Sequence, residues 1–381
     1  MAPTAPTART APASTASPAP QDPADRIRVV LFSEVNSKLG SPFLSMLHGH
    51  PQVDLAAVVT SPHGKRCSYF TDDPEQVDLV TQGAALGVPV LRPSSVNLPS
   101  FVDELEGYGA DYFLVANFQQ ILRERLLSVP RVTAVNFHPS PLPAFAGLSP
   151  FYWMIREGAT ESAVSAIEMA PVLDSGDLIM QHEVPLTGDE TAIDLRTAQE
   201  RANVLMLLEL IPQLVDRSYR PIPQDPSRRS YFGRPTDADL RLDFRLPAAV
   251  VARHVRAGYR SPGAWTADEA GRRVRILSVD PAPAGAPEQA PVPGLVVHGA
   301  AGRVFAGCAD GWLEVRTTES DGRETPAAAT GQLPDGTRLV APPTPAPAPT
   351  APSDPATTEA RTETPDQART EAPAPVPLPV P

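Results

Sequence analysis

The chain has only two cysteines in 381 residues, Cys67 and Cys308, far apart along the sequence. Two cysteines build no disulfide framework. No apolar run approaches the ~20 residues of a membrane-spanning helix. The N-terminus has no basic start followed by an apolar core, so no secretory signal is expected and a cytoplasmic protein is the simplest reading. The first apolar run is followed by Glu34-Val35-Asn36-Ser37-Lys38-Leu39-Gly40 without a GxGxxG pattern, so a dinucleotide site lacks its usual signal. No GxSxG elbow supports a serine hydrolase. Metal-ligand spacing is missing as well. His48-Gly49-His50 brings only two ligands together and reads as a polar loop, and His63, His182, His254 and His298 stand alone. No metal and no internal repeat are expected.

Proline, by contrast, is abundant. Of 47 prolines, 19 fall in residues 1–25 and 341–381, mixed with Ala and Thr. Such tails lack the large apolar side chains that offset the cost of ordering a backbone, and are expected to be disordered. About 315 residues remain, enough for two packed cores. The net charge of −12 is unevenly spread. Residues 26–224 carry 14 Lys/Arg against 23 Asp/Glu, and residues 225–340 carry 15 against 14. An acidic first half argues against a general nucleic-acid binder, although a local basic patch could survive it.

Short apolar runs alternate with helical spacing through the first half. Strands are expected at 28–33, 53–60, 88–91, 112–116 and 132–138, with helices at 42–48, 76–86 and 101–106. This alternation predicts a βαβ series and a parallel sheet covered on both faces. A strand pair at 163–169 and 178–184 follows, then a long amphipathic helix over 191–214. Residues 221–235, rich in Pro, Ser and Arg, read as a linker. Residues 236–340 read as a strand at 240–244, a helix at 248–257, and short strands at 263–266, 273–279, 294–297, 303–306 and 312–316, a pattern that suggests a small β-barrel or sandwich. The expected domains are therefore 26–220 and 236–340, joined by 221–235 and flanked by the two tails.

The most informative stretch is Val135-Asn136-Phe137-His138-Pro139-Ser140-Pro141-Leu142-Pro143. Alternation along a strand puts Asn136 and His138 on one face at its carboxyl end, where open α/β sheets bind ligands. The prolines stop the strand and are expected to hold an extended loop. Asn-x-His also reads as a histidine simply hydrogen-bonded at a strand end. Val172-Leu173-Asp174-Ser175-Gly176-Asp177 is a turn by composition. It could also deliver a carboxylate beside His138, which would favour the charged ring and fix its orientation.

Taken together and in this order, Asn136-x-His138, the loop Ser140-Pro141-Leu142-Pro143 with Gly147, and Leu173-Asp174-x-Gly176 resemble the folate-dependent formyltransferase family. The resemblance runs through residues 28–340. It implies a Rossmann-like parallel-sheet α/β domain followed by a small β-barrel (OB-like) domain, similar to the second domain of methionyl-tRNA formyltransferase. There Phe244 in a DF pair and Ser261-Pro262-Gly263-Ala264-Trp265 resemble the family's turn into the barrel. The resemblance implies 10-formyltetrahydrofolate as co-substrate and Asn136, His138 and Asp174 as catalytic residues. For the folate it implies Ser140, a wall of Gln119, Gln120, Ile121 and Leu122, and a second wall of Met169, Ala170, Pro171, Val172 and Leu173. Asn136 would donate to the oxygen on which charge develops, His138 would stabilise that charge or act as a base toward the amine, and Asp174 would hold a water for proton transfer.

The acceptor is read from charge. The turn after the first strand is Ser33-Glu34-Val35-Asn36-Ser37-Lys38, the region after the second has Lys65 and Arg66 but then Asp72, Asp73 and Glu75, and Ala144-Phe145-Ala146 stands where an arginine could follow His138. Binding to tRNA draws its affinity from phosphate neutralisation. A small amine, such as an amino sugar or an amino-acid-derived amine, is therefore the expected acceptor. Arg228, Arg229 and Arg234 in the linker read as solvated charges. Initiator methionyl-tRNA is the alternative, favoured by the second domain. A hydrolase of 10-formyltetrahydrofolate and a non-catalytic folate-binding protein stay open behind it. The tails could bind a partner through polyproline II structure, but spacers are the simpler reading.

Overall fold

A computed structural model describes residues 26–71 and 75–341. The two Pro-rich tails lie outside the described residues, as do Asp72 and Asp73 of the loop noted for its acidic charge. In chain order the elements are β1 (Ile27–Phe32), α1 (Gly40–Gly49), β2 (Val53–Val59), α2 (Leu79–Leu86), β3 (Val90–Leu91), α3 (Pro99–Gly107), β4 (Tyr112–Ala116), α4 (Glu124–Leu127), β5 (Thr133–His138), β6 (Ala146–Gly147), α5 (Pro150–Glu157), β7 (Ser162–Glu168), β8 (Leu178–Val184), α6 (Ala192–Asp216) and β9 (Tyr231–Phe232). The second part continues with α7 (Asp237–Leu240), α8 (Ala248–Ala257), β10 (Trp265–Ala267), β11 (Arg273–Asp280), β12 (Val296–His298), β13 (Val304–Gly307), β14 (Trp312–Ser320), β15 (Arg323–Pro326) and α9 (Ala327–Thr330).

The first sheet has seven strands in the order β3-β2-β1-β4-β5-β7-β8. Pairings from β3 to β5 are parallel, whereas β5–β7 and β7–β8 are antiparallel. Alternating side chains feed two apolar layers. Leu31, Leu114, Val135 and Phe137 face Phe43, Leu47, Met206 and Leu210 of α1 and α6. Val30, Phe113, Val115 and Ala134 face Phe101 and Leu105 of α3 and Leu126 of α4. Strands buried on both sides carry no alternating polar residues, which is why they read as continuous apolar runs.

The second sheet is antiparallel, β10-β11-β14-β13-β12 with β15 also paired to β14. Val251, Ala252 and Val255 of α8 fill its concave side against Val274, Ile276, Leu313 and Val315. This is a half-barrel closed by a helix.

Four expectations change. The strand expected at 240–244 does not form: Leu240 is the last residue of the short helix α7, which a reciprocal capping box between Thr236 and Asp239 starts, and residues 242–244 belong to no strand. Only an isolated bridge from Arg241 to Trp265 survives as strand-like pairing. The helix expected from 76 begins at Leu79, since the Asp78 side chain accepts from the N–H groups of Val80 and Thr81 and so caps it. The helix α5 and the strand β15 had no counterpart in the sequence reading. The loop after His138 is not extended but folded into turns, with Ala144 N–H donating to Pro141 O and Leu142 N–H to Ser140 O.

Candidate active site

The end of β5 delivers Asn136 and His138 to the face of the sheet shared with Ala134, as strand alternation requires. His138 is buried at 6% exposure and Asp174 at 8%. Their closest atoms, Nδ1 and Oδ1, stand 3.6 Å apart. Asn136 Nδ2 donates to the same Oδ1 at 3.5 Å. The other carboxylate oxygen, Oδ2, accepts from Gly147 N–H at 2.8 Å. His138 Nε2 donates to Phe145 O at 3.3 Å. The three expected catalytic side chains therefore converge, with the ring held between a carboxylate and a carbonyl.

Two backbone features make the convergence possible. Asp174 sits at φ 52°, a left-handed conformation that Asp tolerates better than most residues. Gly176 packs so closely on Glu168 that an added Cβ would lie 1.7 Å from its carbonyl oxygen. Only a residue without a side chain lets this loop fold back against the end of β7.

The loop after His138 is anchored from several sides. Gln199 on α6, fully buried, donates to Pro139 O at 3.0 Å. Ser165 on β7 donates to Ser140 O at 2.7 Å, and Gln181 on β8 donates to Leu142 O at 3.0 Å. The Ser140 hydroxyl is itself buried and donates to Ala144 O. Its position shapes the turn.

The two expected folate walls border one apolar layer. Leu122 is part of the cluster that includes Ala134, and Met169 packs against it. Between them, Ile121 at 63% and Val172 at 43% expose apolar surface. On the first wall, Gln120 Oε1 accepts from Val96 N–H and Ile121 O accepts from Asn97 Nδ2. Gln119 is tied to the turn after β1, its N–H donating to Glu34 Oε1 at 2.9 Å, and its side chain donates to Cys67 Sγ at 3.0 Å. On the second wall Met169 N–H donates to Ala134 O, while Ala170, Pro171 and Leu173 lead from there to Asp174.

The segment expected as a linker enters the site. Strand β9 pairs with β6, and Ser230 holds the neighbouring residues on both sides, accepting from Phe145 N–H on its hydroxyl and from Ala146 N–H on its carbonyl. Gln224 and Arg229 reach the loop that carries Asp174. Arg229 is thus no solvated charge. Nothing in the local sequence marks it, because its partners lie more than fifty positions upstream. Arg228 and Arg234 are exposed, and Arg234 approaches Gln119 Oε1 at 3.5 Å.

Elsewhere His50 Nδ1 accepts from Gln52 N–H, a local loop contact. Among the described residues no group of three or more His, Cys, Asp or Glu is placed to hold a metal ion. No helix among them is long and apolar enough to cross a membrane. Cys67 and Cys308 are both buried free thiols.

The chain as a whole is similar to known proteins. The chain is 32% identical over 266 residues to a methionyl-tRNA formyltransferase of Synechococcus sp., covering 67% of this chain and 81% of that protein. It is 31% identical over 279 residues to the methionyl-tRNA formyltransferase of Myxococcus xanthus, covering 72% and 86%. Among solved structures, the fold is shared with WlaRD, a sugar 3N-formyltransferase crystallised with dTDP and 5-N-formyl-THF, at TM-score 0.56 and 16% identity over 76% of this chain and 96% of that one. An N-formyltransferase from Helicobacter canadensis, in complex with folinic acid and dTDP-3-aminofucose, superposes at TM-score 0.55 and 16% identity over 76% and 98%. Residues 27–211 match the family "Formyl transferase", residues 235–330 match "Formyl transferase, C-terminal domain", and the chain belongs to the formyltransferase family.

Proposed function

We propose that this protein transfers a formyl group from 10-formyltetrahydrofolate to a primary amine, using Asn136, His138 and Asp174. The observation that carries the reading is the convergence of these three side chains at the end of β5. The walls fit the donor. Ile121 and Val172 offer the exposed apolar surface that a flat heterocycle would cover, beside backbone groups at 119–122 and 169–173. When bound, the folate supplies an electrophilic formyl carbon on N10.

Each residue then has a task. The acceptor nitrogen bonds to the formyl carbon, the bond from that carbon to N10 breaks, and the amine proton passes to N10. Asn136 Nδ2 donates to the formyl oxygen while negative charge builds there. His138 stands beside it to stabilise that charge or to receive the amine proton. Asp174, fixed by Gly147 N–H, orients the imidazole from Nδ1 and holds a water for the proton's transfer.

The acceptor in this reading is a small amine, such as an amino sugar or an amino-acid-derived amine, and the reaction is cytoplasmic. The support is the acidic balance of residues 26–224, 14 Lys/Arg against 23 Asp/Glu, where tRNA would require phosphate neutralisation. A second reading, initiator methionyl-tRNA, is favoured by the named relatives and by the C-terminal domain match. The test is a formyl-transfer assay with 10-formyltetrahydrofolate and either charged initiator methionyl-tRNA or a panel of small amines, following folate release with and without acceptor. Transfer to small amines alone supports the first reading. Rapid formylation of the tRNA replaces it with the second. Folate release that needs no acceptor turns both into hydrolysis.

A further inference from the structure

Arg229 lies 55 residues beyond Asp174, in a segment outside both family matches. Its guanidinium forks onto two consecutive carbonyls of the catalytic loop, Nη1 to Asp174 O at 3.0 Å and Nη2 to Leu173 O at 2.7 Å. Gln224 adds a second fork from the same segment, Nε2 donating to Asp174 O at 3.0 Å and Gly176 O at 2.7 Å. Asp174 O thus accepts from two side chains. A residue at φ 52° carries conformational strain, and it persists only where its surroundings over-determine it. These four hydrogen bonds are that surrounding.

The same segment also controls the opposite side of the histidine. Ser230 N–H donates to Pro143 O, Ser230 Oγ accepts from Phe145 N–H at 2.8 Å, and Phe145 O is the acceptor of His138 Nε2. The Phe232 ring stacks on Phe145 at 5.5 Å and on Trp153 at 5.0 Å. One strap of about ten residues therefore grips both loops that flank the imidazole.

We propose that the strap 224–232 is a positioning device for the catalytic carboxylate, with Arg229 its principal positioning residue. Arg229 touches no reacting atom; it acts through Asp174. A planar fork of charged donors matches two adjacent carbonyls, a geometry a lysine ammonium reproduces only in part. The inference rests on the reading of Asp174 given above, and its test separates the two.

The full-length chain is compared with Arg229→Ala, Arg229→Lys, Asp174→Asn and the double variant Arg229→Ala/Asp174→Asn. Steady-state kinetics, melting temperature and amide hydrogen exchange of residues 173–177 are measured. Arg229→Ala is expected to lower kcat by about 10²-fold, the scale of a misplaced catalytic group, with KM for the folate nearly unchanged. Arg229→Lys recovers part of that loss. In the Asp174→Asn background the Ala substitution costs little more, because residues acting as one unit are non-additive. Exchange at 173–177 rises in Arg229→Ala. A kcat close to that of the parent, or a full further loss in the Asp174→Asn background, overturns the proposal. If the parent chain formylates no amine, the functional reading fails, and the strap is then decided by exchange alone. Unchanged exchange overturns it.

Discussion

The backbone N–H of Gly147 donates a 2.8 Å hydrogen bond to Asp174 Oδ2, joining two loops that are 27 residues apart in sequence. That bond leaves Oδ1 turned toward both Asn136 and His138. A carboxylate held by a rigid backbone donor keeps its direction while charge moves around it. Gly147 has φ 99°, and an added Cβ would lie 2.2 Å from Phe232 O, so the donor sits where only glycine fits.

His138→Ala and Asp174→Ala should each abolish measurable formyl transfer while leaving far-UV circular dichroism and melting behaviour close to those of the parent. Both side chains sit at loop edges of the sheet and not in its apolar layers. Near-normal activity in either variant would remove the proposed site.

Asn136→Ala should lower kcat by about 10²–10³-fold, the usual cost of deleting one donor to a developing oxyanion. A rise in KM with unchanged kcat would show that Asn136 serves ground-state binding instead.

Gly176→Ala tests the fold of the Asp174 loop. The clash is with a backbone carbonyl at 1.7 Å, which no rotamer can relieve. Overpacking of this kind costs about 1–3 kcal/mol, and the melting temperature should fall by several degrees, at about 2–4 °C per kcal/mol for a domain of this size. Activity should fall further than stability does, because the displaced loop carries Asp174. An unchanged melting curve would mean that the loop moves freely away from β7.

His254, where α8 packs on α5, gives a pH prediction. Burial, reinforced by the neighbouring Arg156 and Arg253, pulls its imidazole down to about 4. The folded state therefore binds this proton more weakly than the unfolded chain, whose histidines titrate near 6.5. The contribution is complete above about pH 6.5 and is lost as pH falls toward about 4. Melting temperature measured across that window should fall less steeply in His254→Gln than in the parent. Parallel curves would show that other groups carry the acid sensitivity.

Both thiols should resist alkylation in the native protein. Burial pushes Cys67 and Cys308 up to about 12, so at pH 8 almost no thiolate is present. Iodoacetamide followed by mass spectrometry should label neither until denaturant is added. Fast native labelling of Cys67 would show that the loop before Ser68 opens in solution.

Much of the catalytic domain was legible in the sequence because its signals are local. Strands buried on both faces must be apolar throughout, so 112–116 and 132–138 announced themselves, and strand alternation placed Asn136 and His138 on one face. The pairing of 163–169 with 178–184 was legible from two apolar runs around a polar turn. Polar side-chain caps were harder to weigh. Thr236 and Asp239 drew Leu240 from the head of an apparent strand into α7, and Asp78 moved the start of α2, because a few directed hydrogen bonds outweigh weak strand or helix preference over a handful of residues.

The sequence by itself determined the two apolar layers, the residue types at the end of β5, and an acidic first half. Only the tertiary structure decided that Asp174 meets His138, that Gly147 and Phe145 bracket the pair, and that residues 224–232 bond to the loops on both sides of them. Those relationships depend on hydrogen bonds between groups tens of residues apart, such as Arg229 to Leu173 O. Such bonds have no period and no composition signature. They exist only after the sheet has brought the loops together.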